Sequence, residues 1–190
     1  MIIGLCGKKR VGKDTIADYL VEKYGFVKYS FGQPIKDVAK ILFDFTDDQL
    51  YGDTQEIVDS RWGLTPRQFF QGFGTDYIQY HLTNQFPTIK NCVPNRCFWV
   101  KRFWIWYNAE LTKNPELNVV IADVRFKHEY TLLKSYKAYL IKIENPRIIN
   151  LDTHISENEL NYLNDTDYNY VICNDDTLES LYIKVSNIIK

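Results

Sequence analysis

The chain has 190 residues, and its 23 Lys and Arg against 24 Asp and Glu give a formal net charge of −1. This length fits one domain with a substantial core, and the charge excludes nucleic-acid binding driven mainly by bulk electrostatics. No apolar run approaches the roughly 20 residues that cross a bilayer, and the N-terminus has no signal-peptide pattern. We therefore expect a cytoplasmic protein without membrane contact. The four cysteines have no paired metal spacing, which predicts reduced thiols.

The first 25 residues predict a strand, a glycine-rich loop and a helix. Residues 2–6 are apolar throughout, and apolar positions at helical spacing run from Ile16 to Tyr24 before Gly25, which fits a helix C′ residue. Between them, two glycines enclose four residues and a lysine follows directly, the spacing of a phosphate-binding loop. The predicted nucleotide-binding residues are Gly7, Lys8, Lys9, Arg10, Val11, Gly12, Lys13, Asp14 and Thr15.

This loop departs from the usual pattern at Asp14, where Ser or Thr normally binds magnesium through its hydroxyl. A carboxylate beside triphosphate oxygens is repelled unless a cation lies between them. Two interpretations stay open: Asp14 acts on magnesium through a water molecule, or it faces away and caps the helix N-terminus.

The rest of the chain alternates helices and strands. Further strands are predicted at 26–31, 118–124, 139–144 and 170–173. Helices are predicted from Ser30 or Gly32 to about 43, and at about 65–80, 98–113, 126–135 and from 177 onward. The segment 145–167 is polar and predicts a mobile excursion between two strands. Strands separated by helices imply an α/β fold, a P-loop three-layer sandwich with a parallel sheet of about five strands and helices on both faces.

The predicted helix 98–113 is rich in aromatic residues. Trp99, Phe103 and Trp106 form one stripe, and a neighbouring stripe begins at Val100. With Lys101 beside them, a surface for single-stranded nucleic acid is conceivable, but two adjacent stripes favour a helix buried on a wide face. We therefore expect no stable nucleic-acid binding.

Several blocks of sequence resemble one kinase family. Residues 7–18 resemble the opening of the deoxynucleoside monophosphate kinases of tailed bacteriophages and giant DNA viruses, whose loop is likewise Gly-Lys-Asp-Thr. The blocks at 30–37, 65–76 and 123–129 also match that family, and residues 152–157 match more weakly. The loop is also similar to that of animal-type phosphomevalonate kinase, which is the nearest competing interpretation. The other blocks favour the nucleotide kinase.

The resemblance implies transfer of the γ-phosphoryl group of ATP, with Mg²⁺, to a deoxynucleoside 5′-monophosphate. Arg125 lies just beyond a predicted parallel strand, where it could hold the acceptor phosphate; the alternative is an ion pair with Glu129. Asp123 could bind a magnesium-bound water or orient Lys13, and its alternative is a helix cap. The predicted metal-binding residues are Asp14 and Asp123, both through water, and the predicted catalytic residues are Lys13, Asp123, Arg125 and Arg147.

The acceptor is predicted to bind mainly in a helical region at about 31–115. Arg67 falls in the first turn of a helix, where the dipole disfavours a cation, so an anionic partner, the monophosphate, is expected; the alternative is a solvated surface arginine. Asp76 could contact the sugar or pair with Arg67. Gln71 lies on the same helical face and could contact a base edge. The predicted substrate-binding residues are Gln33, Lys36, Arg67, Gln71, Asp76, Arg125, Glu129 and His154.

The segment 145–167 would serve as a lid in such a kinase. Arg147 would neutralise charge on the transferring group, or be a surface arginine beside the hinge. His154 is either a substrate contact or part of a helix start capped by Ser156.

Two other functions stay open at this stage: a kinase for another small phosphorylated acceptor, of the phosphomevalonate or dephospho-coenzyme A type, and a non-catalytic nucleotide-binding module. The sequence allows a homodimer and does not specify the base or sugar preference.

Overall fold

The structure is a computed structural model and describes residues 1–94, 96–149 and 154–189. The chain divides into two compact units, one formed by Met1–Ser30 with Trp104–Lys190 and the other by Phe31–Phe103. The predicted acceptor region overlaps the second unit. The role of this region in binding the acceptor stays a prediction, and so does the assignment of the whole chain to one kinase domain.

The strands and longer helices follow the predicted order, but the strand predicted at 26–31 covers only Val27–Tyr29, and the short helix Asp47–Tyr51 was not predicted. The strands are β1 (Ile2–Cys6), β2 (Val27–Tyr29), β3 (Val119–Val124), β4 (Tyr139–Glu144) and β5 (Tyr170–Cys173). The α-helices are α1 (Lys13–Tyr24), α2 (Gln33–Phe43), α3 (Asp47–Tyr51), α4 (Pro66–Gln71), α5 (Leu82–Gln85), α6 (Phe98–Lys113), α7 (Lys127–Ser135), α8 (Ile155–Asn158) and α9 (Leu178–Ile189). Short 3₁₀ turns lie at Asp53–Glu56, Pro87–Asn91 and Asp165–Asp167, and a π-helix lies at Gly72–His81.

The sheet belongs entirely to the first unit. Its strand order is β2-β3-β1-β4-β5, and every described pairing is parallel. β1 is central and buried along its whole length, which explains its unbroken apolar sequence. The predicted α/β fold with a parallel sheet of about five strands is confirmed.

Helices cover both faces of this sheet. On one face, Ile3 and Leu5 pack with Ile16 and Leu20 of α1 and with Leu181 of α9 in one buried cluster. Gly4 points to the opposite face, because successive residues of a strand alternate. A Cβ there would lie 3.5 Å from Leu133 of α7 and 2.7 Å from Leu140. The glycine thus leaves room for the Leu140 side chain of β4, whereas Leu133 of α7 would lie at ordinary contact distance.

The helix after the loop ends as predicted. Gly25 adopts a left-handed conformation with φ of 69°, and its N–H group donates to the carbonyl oxygens of Leu20 and Val21. This is the αL helix ending that favours glycine.

The second unit contains an unpredicted backbone feature. Thr65 and Gln68 form the capping box that begins α4, in agreement with the predicted helix start. The helical chain continues beyond the predicted end near residue 80 as far as Gln85, but its middle, Gly72–His81, is π-helical. Trp99 stabilises this middle, because its indole N–H donates to the carbonyl oxygen of Gly74 at 2.9 Å.

The aromatic helix α6 has the predicted bounds. Trp99, Val100 and Phe103 are buried, whereas Lys101 and Arg102 are exposed. The interpretation as a helix with a buried face is confirmed at these positions.

The polar segment 145–167 includes residues 150–153, which lie outside the described part of the chain. Two of these, Asp152 and Thr153, belong to the weaker matching block. Its described part contains α8 and the turn Asp165–Asp167. No described helix is both long and apolar enough to cross a membrane.

Candidate active site

The loop between β1 and α1 has a backbone that requires glycine at two places. Gly7 has φ of 142° and Gly12 has φ of 105°, both in the left-handed region. A Cβ at Gly7 would lie only 2.3 Å from the carbonyl oxygen of Ile143 on β4. Arg10 also has a positive φ, 67°, which costs on the order of 1 kcal/mol for a residue with a side chain. The loop therefore holds a strained shape, as expected for a ligand-binding turn.

Lys13 is bent back over this loop. Its ammonium group donates to the carbonyl oxygens of Gly7 at 2.8 Å and Lys8 at 2.6 Å, and the residue is 5% exposed. Burial, followed by the positive charge of Arg125, lowers the pKa of Lys13 to about 7, while the carboxylates of Asp14 and Asp123 act in the opposite direction. The predicted arginine and two aspartates thus each lie within electrostatic range of Lys13.

The two predicted metal-binding carboxylates have different surroundings. Asp123 accepts a hydrogen bond from the Ser30 hydroxyl at 2.7 Å. It does not cap the following helix, because the N-cap of α7 is Phe126, so that alternative is wrong. Asp14 lies in the first turn of α1, whose N-cap is Gly12, and forms an ion pair with Lys28 at 3.0 Å. Asp14 is therefore not the cap, although its negative charge lies in the first turn, where the helix dipole favours it.

The contacts of Arg125 differ from the expected ones. The predicted alternative, an ion pair with Glu129, is wrong, since the guanidinium pairs with Glu157 instead. Glu129 is 1% exposed and accepts the backbone N–H groups of Arg125 at 2.8 Å and Phe126 at 3.0 Å. Burial raises the pKa of Glu129 to about 8, although these two backbone hydrogen bonds lower it. The carboxylate stabilises the start of α7, whereas the sequence predicted a contact with substrate.

Glu157 is a residue of this site whose contacts the sequence did not predict. Its side chain is 0% exposed, and its second carboxylate oxygen accepts the backbone N–H of Lys9 at 3.0 Å. The Lys8 ammonium donates to the Glu157 carbonyl oxygen at 2.7 Å and to Asn158 Oδ1 at 2.8 Å. The Lys8 side chain, predicted to bind the nucleotide, therefore anchors α8 to the loop. The only sequence signal was the weak family block at 152–157.

A cavity of about 440 Å³ opens beside the loop in this unit. Its walls come from the loop and from the C-terminal ends of β3, β4 and β5, which is where ligands bind in parallel sheets. Residues of these walls include Gly7, Lys8, Arg125, Asn145, Glu157 and Cys173. Arg125 and the loop residues Gly7 and Lys8 thus line one shared cavity, and Lys13 is not among its lining residues.

The predicted lid residues have local contacts. Arg147 donates from Nη2 to the carbonyl oxygen of Asp175 at 2.5 Å. His154 is the N-cap of α8, and its Nδ1 accepts the Ser156 N–H at 3.2 Å. The predicted N-cap, Ser156, is therefore wrong, since the observed N-cap lies two residues earlier in the chain.

Arg67 lies in the second unit and has an internal anionic partner. Its Nε is 3.2 Å from Glu56 Oε1, and its side chain is 13% exposed. The alternative in which Asp76 pairs with Arg67 is therefore wrong, and so is the alternative of a solvated surface arginine, since the side chain is mostly buried. Gln71 is half-buried on α4, and Asp76 is exposed on the π-helix.

Two more predicted substrate residues of this unit meet at one tyrosine. Gln33 donates to the Tyr51 hydroxyl at 2.7 Å, and the Lys36 ammonium lies 4.4 Å from the centre of the same ring.

Comparison with known proteins identifies the family. The family described as deoxynucleotide monophosphate kinase matches residues 1–59 and 48–185. The chain belongs to this family. The predicted family and the predicted kinase activity are both confirmed.

A putative deoxynucleotide monophosphate kinase of Acanthamoeba polyphaga mimivirus is 39% identical over 188 residues, covering 97% of this chain and 94% of that protein. The deoxynucleotide monophosphate kinase of Enterobacteria phage T4 is 25% identical over 255 aligned positions, covering 100% of this chain and 98% of the phage protein. Among solved structures, shikimate kinase from Aquifex aeolicus aligns with a TM-score of 0.49 and 15% identity, over 100% of this chain and 96% of that one. Family membership makes the chain a phosphotransferase that uses nucleotides.

Proposed function

We propose that this deoxynucleotide monophosphate kinase family member transfers the γ-phosphoryl group of ATP to a deoxynucleoside 5′-monophosphate at the loop between β1 and α1. The observation that carries the proposal is electrostatic. Two cations, Lys13 and Arg125, lie close enough for Arg125 to help lower the pKa of the lysine to about 7. Two neighbouring cations repel each other in the absence of a ligand, and their proximity becomes favourable when polyphosphate oxygens lie between them.

On the donor side, the loop amides and Lys13 would bind the β- and γ-phosphates of ATP. The ammonium now donates to the Gly7 and Lys8 carbonyl oxygens, and it would exchange these partners for phosphate oxygens. A full positive charge on Lys13 is then favoured, because nearby anions stabilise the protonated amine.

On the acceptor side, Arg125 would hold the monophosphate. A guanidinium binds two oxygens of one phosphate in a fixed plane, which orients the attacking oxygen toward the γ-phosphorus. Arg67, Gln33, Lys36, Gln71, Asp76 and His154 stay predicted substrate contacts, and Arg147 stays a predicted neutraliser of the transferring group.

The residues present fit Mg²⁺. This ion is usually held by one or two carboxylates together with phosphate oxygens and water, and the chain offers Asp123 and Asp14, both of which influence the pKa of Lys13. Within the described residues, no cluster of three or more His, Cys, Asp or Glu side chains could hold a metal, so the phosphates would complete the coordination. When bound, the ion supplies neutralisation of charge on the transferring phosphoryl group.

The acceptor oxygens are already anionic near neutral pH, so little general-base assistance is needed. Positioning by Arg125 and charge neutralisation by Lys13 would provide most of the acceleration.

The test is ADP formation from ATP and Mg²⁺ with a panel of acceptors. The panel contains the four common deoxynucleoside monophosphates, their ribose forms, phosphomevalonate and dephospho-coenzyme A. We expect ADP release that depends on a deoxynucleoside monophosphate, and a loss of at least 10³-fold in Lys13→Ala without a change in circular dichroism. ADP release with only a non-nucleotide acceptor, or nucleotide binding without turnover, would refute the proposal.

A further inference from the structure

Glu157 is a buried carboxylate with no assigned part in the reaction above. It lies on α8, a single helical turn within the polar segment 145–167, and its side chain is 0% exposed. A fully buried carboxylate is unfavourable unless its partners offset the loss of hydration. Its partners therefore indicate what the residue is for.

Each oxygen of this carboxylate binds a different part of the proposed site. One oxygen pairs with the Arg125 guanidinium, which follows β3. The other accepts the Lys9 N–H at 3.0 Å, within the phosphate loop that follows β1. Glu157 thus connects the arginine proposed for the acceptor to the loop proposed for the donor.

The backbone around Glu157 is attached to the same loop. The Lys8 ammonium donates to the Glu157 carbonyl oxygen at 2.7 Å and to Asn158 Oδ1 at 2.8 Å. Glu157 is therefore held through both its backbone and its side chain, which limits the freedom of its carboxylate to follow a moving arginine.

We infer that Glu157 is a positioning residue, which fixes the Arg125 guanidinium at a set distance from the phosphate loop. This inference rests on the proposed function of Arg125. An arginine side chain has several rotatable bonds, and a misplacement of about 1 Å in a transfer reaction costs on the order of 10²-fold in rate. A carboxylate that orients the guanidinium before the acceptor arrives removes that loss.

The main test compares Glu157→Gln with Glu116→Gln, the same chemical change at an exposed position of the same unit. Arg125 and Lys9 use different oxygens of the carboxylate, and a carboxamide replaces one of these oxygens with a donor nitrogen, so one of the two contacts is lost. We expect kcat/KM for the preferred monophosphate to fall at least 30-fold in Glu157→Gln, with the KM for the monophosphate rising at least fivefold more than the KM for ATP. Glu116→Gln should stay within twofold of wild type.

A double-mutant cycle then separates positioning from simple stabilisation. If Glu157 acts through Arg125, Glu157→Gln should lower kcat/KM no more than threefold further once Arg125→Ala is present. Additive losses would overturn the inference. Unchanged or improved turnover in the single variant would also overturn it, and improvement would mean that the carboxylate competes with phosphate for the arginine.

Two controls keep the result interpretable. If circular dichroism shows that Glu157→Gln does not fold, Glu157→Asp replaces it, because this variant keeps the charge but shortens the side chain. It should show the same rise in the KM for the monophosphate. A folded Glu157→Asp variant with a wild-type KM would overturn the inference. Wild-type turnover is measured first. Its absence would refute the proposed function, whereas normal wild-type turnover with an unaffected Glu157→Gln would refute only the role of Glu157.

Discussion

The lowered pKa of Lys13 predicts that nucleotide binding takes up a proton. In the ligand-free protein, burial and the charge of Arg125 lower this pKa to about 7, so only about a tenth of the molecules carry the ammonium form at pH 8. A bound triphosphate restores the charge. Binding at pH 8 should therefore consume about 0.9 proton per site.

The same linkage gives the pH dependence of the affinity. About half of the free protein has a protonated Lys13 at pH 7 and about 1% at pH 9, so Kd for an ATP analogue should rise about 50-fold between these values, or about 2.3 kcal/mol. Isothermal titration calorimetry in two buffers with different ionisation enthalpies measures the proton uptake directly.

The matched control is Lys13→Arg, whose guanidinium stays protonated, so its Kd should be flat across this range even if binding is weaker overall. Glu129, with a pKa of about 8, titrates in the same interval, and a Glu129→Gln background removes its contribution. A flat Kd in wild type, or no net proton uptake at pH 8, would refute the argument.

Three other predictions concern separate contacts. Gly7→Ala should abolish turnover and destabilise the fold by several kcal/mol, because the added Cβ meets the Ile143 carbonyl oxygen at 2.3 Å. The control is Gly25→Ala, whose added Cβ has nothing within 4 Å but whose φ of 69° is unfavourable for alanine. This variant should lose only about 1 kcal/mol of unfolding free energy, measured by thermal denaturation, and should retain activity. Arg67→Ala should raise the KM for the monophosphate at least tenfold while Glu56→Gln leaves it within threefold; equal effects of the two variants would mean that their ion pair is only structural. Burial raises the pKa of Glu129 from 4.5 to about 8, so the folded state binds this proton more tightly than the unfolded state. The free energy of unfolding should therefore fall as the pH rises from 5 to 7, and this slope should disappear in Glu129→Gln. An identical slope in the variant would contradict this.

The parts of the fold that depend on local pattern were predictable. The strands Tyr139–Glu144 and Tyr170–Cys173 and the helix Phe98–Lys113 have the predicted bounds, because apolar periodicity and flanking polar residues are properties of neighbouring positions. The phosphate loop was recognisable for the same reason, since its two glycines meet a local backbone requirement.

The contacts that depend on distant positions were not predictable. The hydrogen bond from Lys9 to Glu157 joins residues 148 positions apart, and beyond the weak family match at 152–157 nothing in the polar segment indicates this partner. Arg67 was expected to need an anion, but Glu56 and Asp76 were equally available in sequence, and only the packing selects Glu56. The π-helix Gly72–His81 was also missed, because its apolar spacing resembles that of an ordinary helix.

The location of Arg125, one residue beyond β3, links its proposed acceptor contact to the hydrophobic interior. Val120, Ile121 and Val124 of this strand are each 0% exposed, and interiors packed this tightly transmit small shifts instead of absorbing them. Trimming a single methylene, as in Ile121→Val, would therefore displace the guanidinium by a fraction of an ångström while the protein remains folded. With Arg125 in its proposed role, temperature-sensitive alleles would map to buried aliphatic positions of this strand, and they would lose affinity for the acceptor before they lost structure.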